Sequence, residues 1–366
     1  MGSATVTDIA RLRLVSQRLV GPPIESPTEA VRWFCAVQAQ EYAGAKWALA
    51  LRTAASTNAD IDALFAAGEI LRTHVMRPTW HFVLPEDIRW LLKLTAPRVH
   101  AVSAYYYRQQ DLDEALLSRS GALIGEALRG NRQLTRSELA GVLRNGGIAA
   151  SGIRLGYLMI HAELDGIICS GAPRGRQHTY ALLDERAPNA RSLERDEAIA
   201  ELTLRYFASH GPATAQDFAW WSGLPAAGAR AGIGMVVDRL TKLDCDGKTY
   251  WYMEPAAPTR VPDSSVRLLP NFDEHLVAYK DHGPTFDAEL SGRRDPRDGA
   301  LMANRIALNG KIAGRWRRTI KSNEALIETK TFVPLEPPAE AALEAACARY
   351  GEYVGLPVTR RSRSIP

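Results

Sequence analysis

The chain has 366 residues, enough for two or three domains of ordinary size, and 23% of them are charged. That balance excludes an intrinsically disordered chain, and no apolar run approaches the roughly 18–20 residues of a bilayer span. The formal net charge of +4 permits nucleic-acid binding without demanding it.

The N-terminus, Met1-Gly2-Ser3-Ala4-Thr5, lacks a basic stretch followed by an apolar core, so no secretory signal is expected. Cys35, Cys169, Cys245 and Cys347 lie far apart in apolar contexts without CxxC spacing. They read as buried thiols in a reducing compartment, the cytoplasm, and not as zinc ligands. No metal or cofactor is expected.

Helices are predicted near 7–19 and 27–40. The second contains a polar interruption, Gln38-Ala39-Gln40, in an apolar stretch that begins at Ala30 and resumes at Trp47. On a helix the two glutamines diverge by roughly 200°. If both face one cleft, the helix ends or bends here, and Gly44 is compatible with such a stop. Glutamine does not ionise near neutral pH, but its carbonyl can hold a water and its amide dipole can face developing positive charge. Strands follow around 70–75 and 79–83, carrying His74, Arg77, Thr79 and His81 between the punctuating Pro78 and Pro85. His81 reads either as a structural hydrogen-bonding group or as a catalytic accessory. Pro85-Glu86-Asp87 opens another helix, and Tyr105-Tyr106-Tyr107 reads as core or interface aromatics.

The pattern then recurs more clearly. Thr135, with Glu138 three residues later, forms a capping box at the head of a helix over 136–144. Asn145-Gly146-Gly147 turns the chain into an amphipathic helix from Ile153 to Leu164. Strands at 167–170 and 179–183 flank a basic tip bearing Arg174, Arg176 and His178. Three helices and a hairpin with a basic tip is the order of a winged helix, a helix-turn-helix variant. A third copy spans about 195–254, with helices at 197–209, 215–223 and 228–243 and a strand at 249–253. Three units at this spacing suggest tandem repeats.

From about 264 the texture becomes strands and turns, with a last helix near 337–351 and a basic, frayed tail from Arg360. The adjacent Asp273 and Glu274 could activate a water, cap a helix or pair with arginines. Arg293, Arg294 and Arg297 form one basic loop. Arg315, Arg317 and Arg318 surround Trp316 on an alternating strand suited to backbone contact with stacking, or to a plain surface strand. GxGxxG, P-loop, HExxH and GxSxG motifs are absent.

Four segments together carry a likeness: Ala36-Val37-Gln38-Ala39-Gln40 with Ala43–Trp47, Arg77-Pro78-Thr79-Trp80-His81, Leu269–Glu274, and Asn309–Trp316. In this order they resemble the winged-helix DNA glycosylases typified by AlkZ and YcaQ, with Pro78 departing from the small residue expected there. The resemblance implies an α+β, mainly α fold of three tandem winged helices and a C-terminal β-rich segment, C-shaped around a DNA channel. The corresponding boundaries are 1–125, 126–190, 191–260 and 261–366. It implies a monofunctional DNA glycosylase for N7- or N3-alkylated purines in double-stranded DNA. Interstrand crosslinks of a natural-product genotoxin are included, in the setting of repair or self-resistance. Gln38 and Gln40 map onto the family's catalytic glutamine pair, with His81 and Asp273 as accessories. Arg77, Arg174, Arg176, Arg293, Arg294, Arg297, Arg315, Arg317 and Arg318 are the expected phosphate contacts. A cationic alkylated base leaves without protonation, so positioning a water and stabilising an oxocarbenium-like sugar suffice, and neutral amides suit both. Tandem repeats suit a monomer in the nucleoid. The rival readings are a non-catalytic winged-helix regulator and a drug-sequestering resistance protein.

Overall fold

A computed structural model describes residues 5–254, 261–286 and 303–362. Helix α1 (Val6–Ser16) starts at a Thr5–Asp8 capping box, and α2 (Pro27–Phe34) starts at Ser26 with Pro27 in its first turn. Helix α2 ends well before the predicted residue 40. Cys35 adopts φ 66°, and the chain becomes strand β1 (Val37–Gln38). Gly44 is therefore not the helix stop. It lies in the first turn of α3 (Tyr42–Ala50), where a Cβ would meet Glu41 Oε2 at 2.6 Å and Pro270 Cβ at 3.1 Å. Glycine there lets α3 approach the 270–271 turn. After α4 (Asn58–Ala67) come β2 (Leu71–His74) and β3 (Trp80–Val83). β3 is the central strand of an antiparallel sheet ordered β1-β3-β2. Long helix α5 (Ile88–Gln109) follows.

The middle of the chain runs α6 (Glu114–Leu128), β4 (Leu134–Thr135), α7 (Arg136–Asn145), α8 (Gly152–Leu164), β5 (Ile168–Ser170) and β6 (Thr179–Leu182), then one turn of α9 (Leu183–Arg186). The Thr135–Glu138 capping box is present, and the sheet order is β4-β6-β5. Next come α10 (Arg195–His210), α11 (Ala215–Ser222), α12 (Ala226–Met235) and the hairpin β7 (Thr241–Cys245) with β8 (Lys248–Tyr252). The predicted helix over 228–243 thus stops at Met235. Thr241, Leu243 and Cys245 alternate along a strand that turns at Asp246 and Gly247, both with positive φ. That Asp-Gly pair is a hairpin turn whose twist suits two antiparallel strands.

The C-terminal part is a five-stranded sheet ordered β13-β12-β11-β10-β9. Its strands are β9 (Val266–Leu269), β10 (Arg305–Leu308), β11 (Lys311–Ile320), β12 (Ala325–Thr331) and β13 (Val358–Ser362), with α13 (Glu274–Val277) after β9 and α14 (Pro337–Val354) before β13. The tail is not frayed through Ser362: β13 pairs in parallel with β12, and Arg360 binds Glu340 and Glu344 at 2.6 and 2.5 Å.

Three large cores hold these elements. One joins Leu14, Phe34, Trp47 and Phe82 to Leu268, Ile306, Trp316 and Tyr350, so the first helices share a core with the C-terminal sheet. A second joins Cys35, Leu71 and Trp90 to Tyr206, Phe207 and Trp221. The third, from Tyr107 to Tyr180, lies within the middle segment. The QAQ stretch lies where the first two cores meet, since Ala36 belongs to one and Val37 and Ala39 to the other.

Candidate active site

Short strand β1 places the glutamines. Gln38 pairs with His81 on β3, and His81 pairs with Thr73 on β2, so these three side chains share one face of the sheet. Ala39 N–H donates to Trp80 O at 2.7 Å, and the chain bends at Gln40, just beyond the strand pairing. Helix α2 ends at Phe34, so the divergence that a helix would impose on the two glutamines does not arise.

Gln38 is held from two sides. Its backbone N–H donates to Glu274 Oε1 at 2.6 Å, and its side-chain Oε1 accepts from Arg77 Nη2 at 2.7 Å. A guanidinium has no acceptor, so Arg77 also fixes which end of the amide is oxygen. Gln38 is 7% exposed, whereas Gln40 is exposed and its Oε1 takes a long 3.4 Å bond from Trp80 N–H.

Glu274 is buried at the head of α13. It also accepts from the Trp221 indole at 3.0 Å and lies 3.2 Å from His210 Nε2. Burial pushes its carboxyl up, but contact with His210, the Gln38 N–H and the Arg77 charge outweighs this and holds it down at about 2. The result is a fixed negative charge directly behind the Gln38 backbone. Burial lowers the Arg77 guanidinium pKa, with Glu274 partly restoring it.

His81 is fully buried. Its Nδ1 lies 3.0 Å from Thr79 O, so that nitrogen carries the proton. Its Nε2 has no hydrogen-bond partner among the described residues, nor do Thr73 Oγ1, Thr79 Oγ1 and Arg77 Nε. Burial, reinforced by Arg77, pushes the imidazole down to about 3, so at neutral pH His81 offers an unprotonated acceptor. Neutral amide, neutral imidazole and buried carboxylate form a site that can hold and orient a water and oppose cationic charge.

The remaining predicted residues divide. Asp273 is 1% exposed, N-caps α13 through His275 N–H, and forms a two-point ion pair with Arg52 at 2.9 and 2.9 Å. It therefore caps and pairs, and it does not present a carboxylate to a cleft. Arg77 is half-buried, and its Nη2 is engaged by Gln38 Oε1. Arg174 is exposed but tied to Glu138 at 2.8 Å and to Gln133 O at 2.7 Å. Arg176 and Arg317 are exposed, and Arg315 is half-buried. Arg318 donates to Glu41 Oε2 at 3.0 Å, beside the α3 cap. Trp316 does not stack outward: it is 2% exposed and its indole donates to Leu269 O at 2.8 Å. Arg293, Arg294 and Arg297 lie outside the described residues.

Sequence reasoning missed the Glu274–Gln38 bond and the part played by His210. Neither had a local signal, because their partners come from distant parts of the chain. Trp221 is a core aromatic whose indole also anchors Glu274.

The family profile described as "DNA glycosylase AlkZ-like" matches residues 31–353. A curated relative from Streptomyces sahachiroi, an "Interstrand DNA cross-link repair glycosylase", is 26% identical over 314 residues, 80% of this chain and 82% of the relative. The solved structure of "Streptomyces sahachiroi DNA glycosylase AlkZ" superposes with a TM-score of 0.80 at 24% identity, over 98% of this chain and 100% of that one.

Proposed function

Because the chain belongs to the AlkZ-like DNA glycosylase family, we propose that it hydrolyses the N-glycosidic bond of N7- or N3-alkylated purines in double-stranded DNA, crosslinked purines included. The single observation that carries the site assignment is the clamped Gln38. Glu274 behind its backbone and Arg77 on its side-chain oxygen fix it beside a neutral His81, two residues before the exposed Gln40. The name of the S. sahachiroi relative supports the crosslink substrate.

The chemistry follows from the charges. An N-alkylated purine is cationic and leaves as a neutral base, so no strong general acid is needed. Positive charge then develops on the sugar, where amide dipoles and the Glu274 carboxylate oppose it. With Oε1 engaged by Arg77, Gln38 presents its Nε2–H2 donors and one remaining oxygen lone pair. Gln40 has its amide available to orient the attacking water. His81 Nε2 is an acceptor for that water. Among the described residues no lysine joins this constellation, which supports hydrolysis without strand cleavage. In this reading the segments around α6–β6 and α10–β8 are winged helices, the QAQ-bearing first segment is a divergent third, and the three curve around the duplex. Arg176, Arg315 and Arg317 face phosphate.

The test is release of base from a duplex carrying one N7-methylguanine. Wild type is expected to release it, and Gln38→Ala with Gln40→Ala is expected to lose at least about 100-fold in rate, the scale of losing a preorganised dipole, with DNA affinity retained. Normal release by the double variant removes the glutamines from the mechanism. Release by neither, with a crosslinked duplex also inert, overturns the substrate class.

A further inference from the structure

Away from the glutamine site, α5 and the end of α8 bring three potential metal ligands together. His100 lies on α5, while His161 and Asp165 stand four residues apart at the C-terminal turn of α8. One ligand atom from each lies within 4.8 Å of the others, and no other such group occurs among the described residues. His100 Nε2 is 3.1 Å from Asp165 Oδ1, and His161 Nδ1 is 3.2 Å from Asp165 Oδ2. Around a tetrahedral zinc ion with ligand bonds of about 2.0–2.1 Å, neighbouring donors are about 3.3 Å apart. Each imidazole thus stands at about that spacing from a carboxylate oxygen of Asp165, and because the two contacts use different oxygens, the three side chains close around the ion by moving inward together.

We propose that His100, His161 and Asp165 bind a divalent zinc-type cation that staples α5 to α8.

The surroundings fit such a site. His100 Nδ1 lies 3.0 Å from Tyr107 Oη, the outer partner that fixes tautomer and ring orientation in metal-bound histidines. His100 and Asp165 line a cavity of about 350 Å³ that leaves room for a water as fourth ligand. Two cations share its wall, Arg89 and Lys93, but Asp184 and Glu194 pair with them. Two imidazoles and one carboxylate suit zinc, cobalt or nickel better than magnesium or calcium, which prefer oxygen. Neither the two histidines nor Asp165 hydrogen-bonds to the Gln38–Glu274 network, so the ion's part is to hold the fold. His100 and His161 lie on different helices and meet only in the tertiary structure.

The experiment uses the full chain stripped of metal with a chelator. Cobalt(II) titration should give a visible d–d absorption saturating at one equivalent, and zinc should displace it. Excess zinc should raise the melting temperature of wild type and leave His161→Ala and His100→Ala unchanged. Chelator should not alter base release at temperatures where the protein stays folded. If either variant fails to fold, the wild-type titration decides alone. Absence of a saturable cobalt band overturns the proposal, as does binding that persists in folded His100→Ala and His161→Ala.

Discussion

Removing the Asp273 carboxylate tests whether this residue serves the fold or the chemistry. Arg52 is 2% exposed and directs five contacts inward: two to Asp273 at 2.9 Å, one to Gln17 O at 3.1 Å, one to Gln17 Oε1 at 2.9 Å and one to Ala48 O at 2.8 Å. After Asp273→Ala the three remaining acceptors are neutral, and a full cation stays buried without a counter-charge. Breaking a buried pair in this way costs about 3–5 kcal/mol, a large part of the roughly 5–15 kcal/mol that holds a typical domain together. The α13 cap is lost too, which adds about 1 kcal/mol. Urea unfolding followed by far-ultraviolet circular dichroism at pH 7 reads the loss as a lower midpoint at unchanged slope. Converting both partners, Arg52→Met with Asp273→Leu, should cost less than Asp273→Ala alone, because no charge is left unpaired. Base release by Asp273→Ala, measured well below its melting temperature, should stay within a few-fold of wild type. A stability loss under about 1 kcal/mol, or a folded variant without activity, refutes the structural assignment.

Acid should destabilise the protein in steps. His81 is held at about 3 and His275 at about 4, so between pH 6.5 and these values the unfolded chain takes up protons that the folded chain refuses, and stability falls as pH falls. His81→Asn should flatten the slope between pH 6 and 4 by about 1.4 kcal/mol per pH unit, and an unchanged slope in urea melts would show that His81 is not buried neutral. Glu274, held at about 2, adds stability above 4.5 that disappears as pH falls toward 2, so Glu274→Gln should flatten only that lower window. Arg176→Ala and Arg317→Ala should each reduce the salt dependence of DNA affinity by about one unit, whereas Arg77→Ala and Arg318→Ala should leave it unchanged. Equal effects from all four would contradict the inward roles of Arg77 and Arg318. Gly223 has φ +72°, and an added Cβ would lie 2.1 Å from Met76 O. Gly223→Ala should therefore cost about 1–3 kcal/mol and slow base release by displacing Arg77. Gly130→Ala, at φ +76° with nothing within 4 Å, should show only the milder backbone strain in the same thermal melts.

Local chemistry determined much of this protein from sequence alone. The Thr135–Glu138 capping box and the β5–β6 hairpin are each set by a few adjacent residues. They recur in the structure because caps and turns are satisfied by near neighbours. The QAQ interruption was likewise visible as a polar place in an apolar run. Only the tertiary structure decided what that place is. Helix α2 stops at Cys35, and a neighbouring strand pairs with the extended chain that follows. An isolated sequence cannot weigh that cross-strand pairing against continued helix. The same competition ended α12 at Met235 and turned 241–245 into a strand. Charge was the least legible property. Arg77, Arg174, Arg176, Arg317 and Arg318 look alike in the sequence. One clamps a glutamine, one binds the α7 cap region, one meets Glu41, and Arg176 and Arg317 face solvent. A long flexible cation takes its role from whichever acceptor the folded chain brings within about 3 Å, and that acceptor is usually far away in sequence.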